Sequence, residues 1–238
     1  MGAEEGTFEQ KNKNEAPKEI DFSKAPSRIE APVNYKTMKD FPAYKKYFQE
    51  EWKTDKDKRM LTDQEIDRIK LVNASNLPGE YKEQFKSMND PRLGDVMIAI
   101  VPADLWKRRG KSQPSESEAS RDLVLFDESY FNKGDKVSWM SHELGHCLYW
   151  KNNPLPAEYQ KDSITFSYKD IKSKEPYPNN KVEHMAFQKQ FEYLKQNGKT
   201  KQEISKMMEE LKDPKGTPEY SAEDMKFFNK LLDDIFKP

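Results

Sequence analysis

A single cysteine, Cys147, in a chain of 238 residues excludes an intramolecular disulfide and fits a reducing compartment. Histidine is nearly as scarce, with three in the whole chain, so chemistry that needs imidazole has few places to go. No apolar run approaches the ~18 residues that a membrane-spanning helix requires, and the chain is expected to have no membrane association. An excess of one charge is missing too. The net charge of −1 is the balance of 41 basic and 42 acidic residues, and this gives no field that would draw the chain to nucleic acid. Met1 to Gly6 lack the apolar core of an export signal, and Gly6 stands where a myristoylation site would need Ser or Thr, so a cytoplasmic location without a lipid anchor is expected. There is no internal repeat, no Gly-rich phosphate loop and no zinc-ribbon cysteine spacing.

Apolar residues are also lean, at 34% against 35% charged, so part of the chain is expected to be tail or solvated helix. Residues 1–33 are rich in Glu, Lys, Asn and Pro without sustained periodicity and read as a flexible arm. Residues 34–238 read as one domain in three parts: a helical segment over 34–90, a core over 95–196 and a helical extension over 199–238. In the first part, Tyr35, Met38, Phe41, Tyr44, Tyr47, Phe48 and Trp52 recur near helical spacing, with Pro42 expected to start or kink the helix. Thr62-Asp63-Gln64-Glu65 fits a capping box ahead of Ile66, Ile69 and Val72, and that helix should run toward Pro78-Gly79. Tyr81, Phe85 and Met88 mark a third helix.

The period then changes. Val96–Val101 and Leu123–Phe126 are short continuous apolar runs, the second continuing to Tyr130-Phe131, and both read as neighbouring strands of one sheet. Lys107–Arg121 between them is polar and Ser-rich and reads as a loop whose basic cluster, Lys107, Arg108, Arg109 and Lys111, is solvated. Ser163–Tyr168 is strand-like. Asn179-Asn180 opens a helix from Lys181 to Gln196 that stops at Asn197-Gly198. Another capping box, at Thr200, and the segment Ser221-Ala222-Glu223-Asp224 open the last two helices, which should pack on the core or offer a docking face to a protein partner.

What is there in place of abundance is arrangement. Two of the three histidines lie in Val137–Trp150 as His142-Glu143-Leu144-Gly145-His146, inside a stretch of helical apolar spacing. Residues i and i+4 share a helix face, so both imidazoles can converge on one ion, with Glu143 beside them as a base rather than a ligand. Cys147 points away from His146 and reads as core. Gly145 weakens a helix interior by about 1 kcal/mol relative to Ala, which suggests close approach by another segment. A catalytic zinc commonly takes three protein ligands and keeps a position for water. Glu183 is the first candidate for the third ligand, because it falls with Ala186, Phe187, Gln190 and Leu194 on an inward stripe where a lone carboxylate would be costly. His184 is the second, and a carboxylate placed to suit the helix dipole is the alternative reading of Glu183.

These residues resemble the zincin metallopeptidases over residues 95–196, in the arrangement where a glutamate on a later helix is the third ligand. The Glu183-His184-Met185-Ala186 portion is also similar to small ImmA/IrrE-type peptidases. The resemblance implies a minimal α+β domain with a small twisted sheet, an active-site helix behind it, one zinc ion per chain and a peptide or protein substrate. The chain departs from it in having no Asn-Glu-x-x-x-Asp pattern and no Gly-x-x-His after His146. The expected chemistry is attack by a zinc-activated water, with Glu143 as base and Tyr168, Tyr177 or His184 as candidate donors to the oxyanion. Two other readings stay open: a regulatory protein keeping the metal as a structural staple, and a zinc hydrolase of non-peptide amides.

Overall fold

The computed structural model describes residues 41–51, 60–76, 90–108, 117–119, 122–131, 137–153, 178, 180–212 and 215–237. The proposed arm, the Tyr81–Met88 helix and the Ser163–Tyr168 strand lie outside them, as do Tyr35, Met38 and Trp52. The fold is mixed α+β, built on a four-stranded sheet of order β1-β2-β4-β3.

The two continuous apolar runs form its centre. Strands β2 (Met97–Val101) and β4 (Leu123–Asp127) pair in parallel, from Met97 opposite Leu123 to Val101 opposite Asp127, and every residue of both is buried. Burial on both faces explains why they read as unbroken runs rather than as alternating ones. Ile98, Ile100, Val124 and Phe126 face one apolar cluster, while Met97, Ala99, Val101, Leu123 and Leu125 face another. The second cluster is closed by α1 (Pro42–Glu51), α2 (Asp63–Ile66) and α3 (Ala103–Arg108) through Phe48, Ile66, Leu105 and Trp106. Pro42 opens α1, where its missing N–H costs nothing.

Both edge strands depart from the sequence expectation. The Thr62 capping box forms, with Glu65 N donating to Thr62 Oγ1 at 3.3 Å and Thr62 N to Glu65 Oε2 at 2.8 Å, but the helix it opens lasts one turn. The chain then enters β1 (Lys70–Asn73), antiparallel to β2. Leu71 and Val72 face opposite clusters, a period of two that outweighs the helical spacing of Ile66, Ile69 and Val72 once the open edge of β2 can be covered. The polar segment expected to be a loop begins inside α3, which holds Lys107 and Arg108, and contributes β3 (Ser117–Ala119), antiparallel to β4. Arg109 and Lys111 lie outside the described residues. Backbone pairing along a sheet edge needs no apolar side chain, so this strand carries no hydrophobic signal. The strand expected to reach Phe131 ends at Asp127, whose carboxylate accepts from Ser129 N at 2.7 Å and starts α4 (Glu128–Phe131).

The first cluster lies under the longer helices: α5 (Val137–Asn152), α6 (Lys181–Gln196), α7 (Lys201–Glu210) and α8 (Ala222–Ile235). The expected caps of α7 and α8 form at Thr200 and Ser221, each as a reciprocal box. Ile204, Met208, Phe228, Leu231 and Leu232 are buried, so the last two helices pack on the core. Among the described residues no helix is long and apolar enough to cross a membrane.

One polar node ties the end of α5 to the sheet. Lys151 Nζ lies 3.0 Å from Asp95 Oδ1 and 2.5 Å from Asp122 Oδ1. Burial opposes its charge, but hydrogen bonds and the charges of the two aspartates win and raise its pKa. Burial, followed by the charges of Asp122 and Asp95, pushes the Tyr44 phenol up to about 12. Both groups keep their protons longer when folded. The stability that they confer is complete below pH 10, and the tyrosine's share is lost as pH rises from about 10 to 12. Tyr44→Phe should therefore flatten the loss of stability across that window by about 1 kcal/mol, after discounting for solvent around the half-buried ring. Urea unfolding at stepped pH measures it, and identical slopes for both proteins would refute the assignment.

Candidate metal centre

Helices α5 and α6 make the most extensive contact between described elements, and the candidate site lies at their crossing. The reason for their closeness is Gly145. A Cβ built there would stand 2.7 Å from the Cα of Ala186, and 3.2 Å from the Met185 carbonyl oxygen. The two backbones meet where a side chain would otherwise keep them apart, as the glycine inside the helix suggested.

On α5, His142 and His146 sit one turn apart, with ring centroids 4.8 Å from each other. On α6, Asn180 caps the helix: its side-chain oxygen accepts from Val182 N at 3.1 Å and Glu183 N at 3.0 Å. This places Glu183 at the third helical position, three residues before the contact with Gly145. The carboxylate turns inward to the histidines and is only 3% exposed.

The three groups meet at short range. His142 Nε2 and His146 Nε2 stand 3.2 Å apart, and Glu183 Oε2 lies 3.4 Å from the first and 3.7 Å from the second. Donor atoms at neighbouring corners of a tetrahedron with metal bonds of about 2.0–2.1 Å are about 3.3 Å apart. The triangle therefore has the dimensions of three corners of such a tetrahedron, and His142, His146 and Glu183 form a buried group that can hold a metal ion.

Electrostatics at the site are set by burial. Burial alone would lower the pKa of His142; the hydrogen bond and charge of Glu183, the charge of Glu143 and the polar side chain of nearby Gln190 reverse this and raise it. His146 goes down to about 4, because burial and the His142 charge together outweigh Glu183. His146 is thus a neutral imidazole at ordinary pH, the form that binds metals. Phe187 and Trp139 pack around His142, with ring centroids at 4.5 and 5.5 Å.

Glu143 is buried beside His142, near enough for its charge to act on that ring. Cys147 is buried core, and burial raises its thiol pKa well above the ordinary value. His184 lies outside the triad. It is exposed on the far side of α6 against Phe227, with ring centroids 5.8 Å apart. Tyr168 and Tyr177 lie outside the described residues. Ser138 and Gln190, both buried next to the triad, drew no functional reading from the sequence. The available signal was a glutamine on a stripe otherwise made of Ala186, Phe187 and Leu194 around the carboxylate.

Two measurements test this geometry. Elemental analysis should find about one metal ion per chain, lost in His146→Ala and Glu183→Ala and kept in His184→Ala. Gly145→Ala should cost about 1–2 kcal/mol, the strain of an extra methyl against backbone less the helix-propensity gain, and should weaken metal binding by moving Glu183. A Gly145→Ala protein that melts and binds metal like the wild type would mean that the crossing is looser than it stands. Comparison with known families, curated proteins and solved structures finds no match to this chain, so the candidate metal centre stands on its own geometry.

Proposed function

We propose that the chain is a zinc-dependent peptidase, with His142, His146 and Glu183 as zinc ligands and Glu143 as general base. The observation that carries this reading is the triangle of donor atoms at tetrahedral spacing with a buried carboxylate on the adjoining residue. Two imidazoles and one carboxylate suit zinc in its catalytic form, in which a fourth position is left for water. A structural staple would have no use for Glu143, which adds a second buried carboxylate to the site at an energetic cost.

When bound, zinc would lower the pKa of its water to about 7 and polarise a carbonyl. Glu143 would accept a proton from the attacking water as its oxygen adds to the carbonyl carbon of the scissile bond. As the C–N bond breaks, Glu143 returns the proton to the nitrogen, so that the products are a carboxylic acid and an amine. His142 and His146 would hold the ion as neutral imidazoles, and Phe187 and Trp139 pack against one side of the His142 ring.

The test is a broad peptide library offered to the zinc-loaded protein, with cleavage read by mass spectrometry. Wild type should cut some member of it. Glu143→Gln should keep about one zinc per chain and lose roughly 10²–10⁴-fold in rate, the usual contribution of a general base. Equal cleavage by both proteins would remove Glu143 from the mechanism. Cleavage of small non-peptide amides alone would move the activity to that class of substrate.

A further inference from the structure

We propose that Gln190 is a positioning residue of this centre: its side-chain carbonyl accepts the Nδ1–H of His142, so that Nε2 of the ring presents its lone pair to the metal. The inference rests on the metal reading above and goes beyond the ligand set. A ligating histidine normally donates its other ring N–H to an oxygen acceptor, which selects the tautomer and holds the ring in plane with the ion.

The geometry assigns that oxygen to Gln190. The residue lies on α6 two turns after Glu183, on the same inward face, and is fully buried. Its Nε2 is 3.5 Å from the Oγ of Ser138, which stands one turn before His142 on α5. With the amide nitrogen directed to Ser138, the carbonyl oxygen is the end left to face His142. His142 Nδ1 and Gln190 Oε1 are both buried, and neither makes a hydrogen bond among the described residues. They are complementary, a donor and an acceptor, and the two side chains are close enough for Gln190 to act on the His142 ring. Rings occupy the other approaches to His142: Phe187, Trp139 and His146.

The choice of an amide has chemical consequences. A carboxylate acceptor would make the imidazole more basic and add a third negative group beside Glu143 and Glu183. A neutral carbonyl fixes the tautomer and adds no charge, so the ion keeps more of its power to acidify water. Gln190 thereby orients one ligand while sitting on the helix that supplies another, and Ser138 orients Gln190.

The experiment uses the full chain with zinc alone as the probe. Zinc affinity is measured by competition with a chromophoric chelator for wild type, Gln190→Met and Gln190→Glu, alongside the melting temperature of each metal-free protein. Gln190→Met, similar in shape but without an acceptor oxygen, should bind zinc about 10–100-fold more weakly. Gln190→Glu restores an acceptor and should recover most of that loss. In zinc-loaded wild type, the nitrogen-15 and proton NMR spectra should show a proton on His142 Nδ1, with cross-relaxation to the Gln190 side chain. This readout needs no variant and decides the matter if a substitution prevents folding. Gln190→Met binding as tightly as wild type, equal weakening in both variants, or a bare His142 Nδ1 would each overturn the role of Gln190 and leave the metal reading intact. Wild type that takes up no zinc would overturn both.

Discussion

Three lone-pair-bearing atoms held within 3.7 Å of one another, where water scarcely reaches, repel each other unless something positive lies among them. That repulsion is the constraint to which the rest of the structure answers. A proton on His142, favoured by Glu183, relieves part of it, while burial and the His142 charge lower the pKa of His146. A divalent cation would neutralise the carboxylate and engage both imidazoles at once. The arrangement is tolerable only because the surrounding fold is strong enough to hold it.

The fold supplies that strength from both sides of a small sheet. Strands β2 and β4, buried on each face, give α5 an apolar bed through Ile98, Ile100, Val124 and Phe126. Helix α6 is pressed onto α5 from outside by α8, whose Phe228 stacks edge-on against Phe187 at 4.7 Å, and Phe187 in turn meets His142 at 4.5 Å. The C-terminal helices are thus continuous with the packing around a candidate ligand.

Much of this was legible because it is local. The caps at Thr62, Asn180, Thr200 and Ser221 depend on a few neighbouring residues, and the boundaries of α6, α7 and α8 follow from them. The doubly buried strands β2 and β4 declare themselves by unbroken hydrophobicity. The edges of the sheet do not. Leu71 and Val72 carry a helical spacing with Ile66 and Ile69 until a partner strand makes the period of two worth more, and Ser117–Ala119 pairs through backbone alone. At the site, the i, i+4 histidines could be read in one dimension, whereas the choice between Glu183 and His184 turns on about 100° of helix rotation relative to a distant element. Gln190 had to be seen opposite His142 before its polarity made sense.

The contact at Gly145 concerns tolerance more than chemistry. The spacing of α5 and α6 is set by a methyl group that is absent, and the atoms opposite are backbone, which cannot swing aside as a side chain would. Position 145 therefore strongly favours glycine, although its residue offers no donor atom to an ion. A redesign that replaced the glycine to strengthen its helix would improve the part and spoil the joint.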